Sequence, residues 1–509
     1  MKTILASMIF VVAIVHGHQA DAETYYVAPE GSVVAAVPDG SLARPFSSVG
    51  DALYSGKVRG GDTVLLQDGT HGSVALYKLA FDSPVTIASQ NGKKAHVDWI
   101  SIRGASSNLV FERLSAWPKD GVAVPSGYVI ETQSEALNIV FKDLDIRSNV
   151  DATNYLQWDA AKWNSSALGG ISLGGAGNIA QSNQVTGIYG GIALNGAGAK
   201  AFDNIIEGFN GDAMRTLGNN TVLRGNLVKN CVATDANHDD GIQGFNAGGG
   251  TLSGIVIDRN TILEWTAAPD HPLRCSLQGM FLSDAIYENL TVTNNLVSTS
   301  QYHGITLSGG RNSKIVNNTI VNAKGETGPY PWLKIWDTPM PVNVLVANNL
   351  VMSLSGPAVS ESNLTFRSNS VIGTPGAIFE NAFAFDYRPK ATSGFIDTAD
   401  AALAPSIDIL GKPRPSGAGP DRGAYEVVKA GDAGVTTPAP ENSAPVPDVP
   451  IAENPVVTDP VVQPVVTDPV VKPVVKPVVK PVVKKWQRKH LRDWMRKSLR
   501  GWTNGAFGR

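Results

Sequence analysis

The chain has 509 residues, with 42 Lys and Arg against 45 Asp and Glu, 52 glycines and only 17% charged residues. That length is enough to bury a large core, and two cysteines, Cys231 and Cys275, are too few to staple a disulfide-built scaffold. The net charge of −3 hides an asymmetry: residues 472–509 hold twelve Lys and Arg and one acid, Asp493, leaving 30 basic and 44 acidic residues elsewhere, a net of −14. An acidic body argues against nucleic acid as a partner, and a basic tail on it suggests a second, separate task.

Residues 1–22 read as a secretory leader. Lys2 gives a positive start, Ile4 to Val15 is almost wholly apolar, and Ala20-Asp21-Ala22 is an A-x-A cleavage site. Such a short apolar run cannot span a bilayer, so a secreted protein, periplasmic or extracellular, is expected. Tyr25 to Val27 reads as a first strand. Phe46, Val49, Ala52, Leu53 and Val58 then fall at roughly helical spacing between Pro45 and Gly60-Gly61. Asp62 to Leu66 is a buried strand closed by the turn Asp68-Gly69, and the short helix before it would cap the first coil of a solenoid.

From residue 183 the phrase Asn, any residue, Val or Ile recurs at Asn183, Asn204, Asn226, Asn260, Asn295, Asn318, Asn349 and Asn369. The spacings are 21, 22, 34, 35, 23, 31 and 20, as expected of stacked coils with insertions of variable length. A second phrase precedes six of these asparagines: Gly170-Ile-Ser-Leu, Gly191-Ile-Ala-Leu, Gly241-Ile-Gln-Gly, Gly279-Met-Phe-Leu, Gly304-Ile-Thr-Leu and Leu333-Lys-Ile-Trp. Its apolar residues alternate, so one side faces a core and the other solvent. Strands of this kind one coil apart must be parallel. The expected fold is therefore all-β, a parallel β-helix over residues 23–428. Asparagine suits the bend because it tolerates left-handed geometry and can bond neighbouring coils. Cys231 and Cys275 fall in loops of adjacent coils, and a bridge and two buried thiols are both open.

Residues 429–484 are rich in Pro and Val, with Pro-Val-Val-Lys repeated from Pro473, Pro477 and Pro481, and read as an extended linker. Residues 485–509 turn helix-capable and basic. Trp486 at the junction, Leu491, Trp494, Met495, Leu499 and Trp502 fall on one face, which suits an anionic membrane or polymer surface; the other reading is a solvated tail.

The repeat also acts as a ruler. It stacks Ser172, Ala193, Arg215, Gln243, Phe281, Thr306 and Lys334 on the outward side of one sheet, with Gly190, Asp212, Asp240, Gln278, His303 and Pro331 just before them. Asp212, Arg215, Asp240, Gln243, His303 and Lys334 are thus expected on one face, with His238 and Asp239 at its edge. Ordinary solvated strands disperse their charges, so this concentration marks a candidate cleft. Insertions carrying Tyr155, Trp158 and Trp163, then Trp265, His271 and Arg274, then Tyr330 and Trp332 are expected to wall it and offer flat platforms to sugar rings.

The opening Tyr25-Tyr-Val-Ala-Pro-Glu-Gly, then Pro45-Phe-Ser-Ser and Gly61-Asp-Thr-Val-Leu-Leu-Gln-Asp-Gly-Thr, resembles the start of many secreted members of the right-handed parallel β-helix superfamily. That superfamily holds pectate lyases, chondroitinase B, alginate lyases and polygalacturonases. Pro420-Asp-Arg-Gly-Ala-Tyr-Glu is similar to their common ending. The resemblance implies an enzyme on polysaccharide, by one of two chemistries. In β-elimination of a uronate polymer, Lys334 would be the base, Arg215 the neutraliser of the sugar carboxylate, and Asp212, Asp239 and Asp240 calcium ligands. In hydrolysis, Asp212 and Asp240 would be the carboxyl pair, with His303 assisting and Lys334 holding an acidic sugar. Asp212, Asp239-Asp240, His303-Gly304 and Lys334 follow the polygalacturonase order, although His303 comes two coils after the acid pair and the lysine sits in Leu-Lys-Ile. Gln243, His238, Trp158, Trp163, Tyr330 and Trp332 are the expected substrate contacts. Elimination is the favoured expectation; C5 epimerisation and binding without turnover are the others. A capped solenoid is expected to be a monomer.

Overall fold

The computed structural model describes residues 22–428, apart from Val34 and Ala167. The leader (Ala22 excepted), the linker 429–484 and the tail 485–509 lie outside the described residues.

Three parallel sheets of 15, 11 and 12 strands run side by side, and the chain visits each in turn as it climbs. The repeated Gly-Ile phrase builds the 11-stranded sheet. Ile171, Ile192, Met214, Ile242, Met280, Ile305 and Leu333 are consecutive partners on its inner side. Each is at most 1% exposed, as are Val185, Ile206, Val228, Ile262, Val297 and Ile320 on the 12-stranded sheet facing it. Full burial of such a side chain contributes roughly 1.5–3 kcal/mol, so the stacked aliphatic rows are the main source of stability. They form one continuous core from Tyr25 to Leu364.

The first coil is covered as expected, by a helix shorter than its apolar spacing suggests. Val49–Leu53 is helical, with Ser48 accepting from the Asp51 N–H, and the turn ends at Tyr54 before Gly56 in left-handed geometry. Val49, Ala52 and Leu53 are its buried face. At the other end the chain folds back along the outside of the 12-stranded sheet. Leu296, Val321, Leu350 and Met352 point outward there and are covered by Phe379, Tyr387, Ile409 and Ala424. The Asn317 amide donates to the Asp421 and Gly423 carbonyls, and a fully buried Arg414–Glu426 pair at 2.7 Å pins the returning segment.

The asparagine ladder is continuous. Each amide Nδ2 donates to the Oδ1 of the next asparagine at 2.8–3.0 Å, from Asn183 through to Asn369. The backbone N–H of each donates to the same oxygen, and Nδ2 also reaches a carbonyl of the preceding coil, as Asn260 does to Leu223. One expectation is corrected. Left-handed geometry falls on the residue before each asparagine: Ser182, Asp203, Gly225, Arg259, Asn294, Asn317, Asn348 and Ser368 all have φ between 51° and 70°. The recurring asparagine is therefore required by its amide, which donates and accepts along the stack, and not by its backbone.

Cys231 and Cys275 form a disulfide with Cα atoms 5.4 Å apart. It closes a loop with a sequence separation of 44 that contains the strand beginning at Asp240. A loop of this length corresponds to about 4 kcal/mol of chain entropy removed from the unfolded state.

Candidate functional site

The outward rung positions follow the ruler. Ser172, Ala193, Arg215, Gln243, Phe281, Thr306 and Lys334 are consecutive Cα partners. Asp240 pairs with Gln278, whereas His303 pairs with Trp332 and not Pro331, because the register shifts between His303 and Ile305. The face divides into a charged half and an aromatic half.

In the charged half, Asp212 is fixed. Its Oδ2 takes Nε and Nη2 of Arg215 at 2.8 Å, and its Oδ1 accepts the Asp240 N–H at 3.1 Å. Both oxygens are thus engaged and the residue is 4% exposed, so Asp212 positions Arg215 and the Asp240 backbone. Nη1 of Arg215 has no protein partner among the described residues. Asp240 is fully buried. Its Oδ2 accepts from Gln243 Nε2 at 3.0 Å and lies 3.6 Å from His238 Nδ1, while its Oδ1 has no partner. At 3.6 Å the His238 contact is longer than a hydrogen bond. Burial pushes the Asp240 carboxyl well above the usual carboxylate range, opposed by His238. The Asp240 carboxylate in turn raises the His238 imidazole above its ordinary 6.5. The His238 side chain is 49% exposed, so the ring presents Nε2 outward while Nδ1 faces a buried acid. This is the arrangement of a base oriented by a carboxylate.

Asp239 turns the other way. Its Oδ2 lies 3.5 Å from the Cys231 sulfur, which has no proton to give, and its Oδ1 is also unpartnered. Burial, with Asp212, Asp235 and Asp240 nearby, pushes it up to about 8. The expected calcium ligands Asp212, Asp239 and Asp240 do not form one close cluster of ligand atoms among the described residues. Among the described residues the one trio of candidate ligand atoms within 4.8 Å is Cys231, Asp239 and Cys275, and there the two sulfurs are bonded to each other. Asp212, Asp239 and Asp240 do not converge on a common point.

In the aromatic half, His303 is 4% exposed and stacks on Phe281 with ring centres 4.4 Å apart. Trp332 and Trp336 meet its edge, and Tyr302 packs against it. Thr306 Oγ1 holds both His303 Nδ1 at 2.6 Å and Trp332 Nε1 at 3.0 Å. Burial, aided by His238 and Lys334, lowers His303 to about 4. It is a neutral plate in an aromatic strip at neutral pH. Lys334 Nζ sits 4.7 Å from the centre of the Trp332 ring, and Tyr330 is 45% exposed beside it.

Two further expectations change. Trp163 is completely buried and Trp158 is 5% exposed; with Tyr155, Val232 and Trp265 they fill a satellite core beneath their loops. Trp158 Nε1 is held by Asp151, and His271 by the Leu156 carbonyl. These loops lock onto each other and offer no platform, because a large ring next to an apolar partner is more stable buried than wet. Lys334 and Arg215 are four rungs apart, or ~19 Å at the spacing of stacked strands. A base and a carboxylate neutraliser must reach one sugar, so this pair cannot share a catalytic step.

Sequence reasoning missed Tyr189, which borders the Arg215–Asp212 pair and whose phenol is raised by burial, so that it stays protonated. It also missed Phe281, Tyr302 and Trp336 as parts of the aromatic strip. His238, expected at the edge of the face, lies just before the strand that starts at Asp240.

A model of the right-handed beta helix region matches residues 169–333. Solved structures similar to this chain include a pectate lyase (16% identity, 79% of this chain and 96% of that one, TM-score 0.43). A rhamnogalacturonan lyase is similar at 17% identity, covering 69% and 88% with a TM-score of 0.41. The A-module of the Azotobacter vinelandii mannuronan C-5 epimerase is similar at 12%, covering 64% and 89% with a TM-score of 0.40. No curated protein matches the chain. The matched region and the three parallel sheets give this chain the fold of a right-handed parallel β-helix.

Proposed function

We propose that the protein is a polysaccharide lyase that cleaves a uronate-containing chain by β-elimination on the outer face of the 11-stranded sheet. The observation that carries this is the half-exposed His238 backed by buried Asp240, one rung from Arg215, at the head of an aromatic strip. His238 Nε2 takes the proton at C5 of the uronate. The electron pair forms the C4–C5 double bond and the C4–oxygen bond breaks. Arg215, held by Asp212, lends Nη1 to the sugar carboxylate and stabilises the charge that builds there during proton removal. Tyr189 supplies the proton to the departing oxygen. Phe281, Trp332 and Trp336 support neighbouring sugar rings. No calcium ion enters this scheme.

Hydrolysis is the second reading, supported by the raised Asp240 carboxyl, which suits a general acid. It needs a second free carboxylate, and Asp212 is occupied by Arg215 and the Asp240 N–H. The test is incubation with a panel of uronate polymers. Elimination gives ultraviolet absorbance from a new unsaturated uronate; hydrolysis gives new reducing ends without it. Turnover by His238→Ala at the wild-type rate would overturn the assignment of the base. The basic tail is proposed to hold the secreted enzyme at an anionic surface.

A further inference from the structure

The cations on the candidate face are few and widely spaced. Arg215 stands on one rung; Gln243, Phe281 and Thr306 follow, and Lys334 is the next cation on the ladder. From Cys275 to Gly310, one whole coil and the next strand of the sheet, the chain contains no Lys or Arg. Above Arg215 the face carries Phe281 stacked on His303, and Trp332 and Trp336, from the coil of Lys334 itself, pack on the same imidazole, which burial keeps neutral. A chain of uronates in every position would lay several carboxylates on that aromatic stretch, where the rungs Phe281 and Thr306 carry no Lys or Arg to neutralise them. Uncharged pyranoses are well matched to it, because their apolar faces stack on aromatic rings. Each pyranose advances on the order of one coil, ~4.8 Å, so four rungs correspond to about four sugars.

We infer that the site takes an acidic heteropolysaccharide in which one uronate recurs about every fourth residue, with Arg215 and Lys334 holding successive uronates and the aromatic strip holding the neutral sugars between them. This rests on the proposed polysaccharide site but not on its chemistry. Lys334 is then a specificity residue at a remote subsite: it sets which polymer is held and takes no part in proton transfer.

Binding is measured by titration calorimetry with the full-length His238→Ala protein, which lacks the proposed base. The probes are oligomers of gellan, with one glucuronate per tetrasaccharide, and oligogalacturonate of equal length, charged at every residue. The expected result is at least tenfold tighter binding of the gellan oligomer. Lys334→Ala is expected to remove most of that preference, and Trp336→Ala to weaken the gellan oligomer more than the galacturonate. Equal or tighter binding of oligogalacturonate, no binding of either, or an unchanged preference in Lys334→Ala would overturn the spacing. Wild-type turnover is scored separately. Gellan that binds but gains no double bond contradicts the elimination chemistry and leaves the spacing intact; faster elimination of polygalacturonate does the reverse.

Discussion

Two ladders climb the same solenoid, and they differ in whether their polar groups are satisfied. In the asparagine turn every amide has a donor below and an acceptor above, and the ladder residues are almost completely buried. On the outward side of the 11-stranded sheet, Asp239 Oδ1, Asp240 Oδ1 and Gln278 Oε1 are buried without partners, and two carboxyls are pushed toward neutrality. The coil spacing is the same for both. A repeat that satisfies itself is architecture; one that leaves acids and acceptors unmet at neighbouring rungs is poised to hold a proton or a ligand. The outer faces differ in the same way. The 12-stranded sheet is sealed by the returning C-terminal segment, while the 11-stranded one keeps Tyr302, Tyr330 and His238 at its surface.

This contrast can be broken from either side. The largest effect is expected at His238. Its replacement by alanine should lower turnover by roughly 10²- to 10⁴-fold while leaving thermal stability nearly unchanged, checked by initial rates and calorimetry. The reverse holds for the asparagine turn. Asn260→Ala removes the acceptor of both Asn226 donors and the donor to Leu223, and should cost about 3 kcal/mol in denaturant unfolding without altering the site's pH behaviour.

Asp239 gives a smaller, pH-dependent effect. Its carboxyl is raised to about 8 in the folded protein from 3.8, so the folded state keeps a proton that the unfolded chain releases. Stability from this group is complete below 3.8 and is lost as pH rises toward 8. Asp239→Asn should therefore match the wild type in acid and exceed it by about 2 kcal/mol above pH 8, read from unfolding curves across pH. A constant difference would show that Asp239 is ionised when folded.

The fold was legible because a coil must repeat its inward Ile and its amide turn, and both leave periodic marks in the chain. The rungs of the site were legible for the same reason: once Gly191-Ile and Gly241-Ile are aligned, Arg215 and Gln243 fall into place. What lay hidden depends on contacts that no period encodes. Trp158 and Trp163 read as surface platforms because loop aromatics look alike whether they face sugar or Val232. His303 read as an ionisable helper because its burial comes from the rings of Tyr302, Trp332 and Trp336, whose packing on it no period encodes. Lys334 and Arg215 shared a face in the alignment, but only the rung count separates their roles.

The central claim is that buried Asp240 tunes an exposed imidazole on the bare face. With eight histidines in the chain, ring-labelled protein allows His238 to be titrated by NMR without any substrate. The account predicts that His238 titrates above its ordinary 6.5 and drops to that value or below in Asp240→Asn. A His238 that titrates at or below 6.5 in the wild type, or is indifferent to Asp240→Asn, would contradict it.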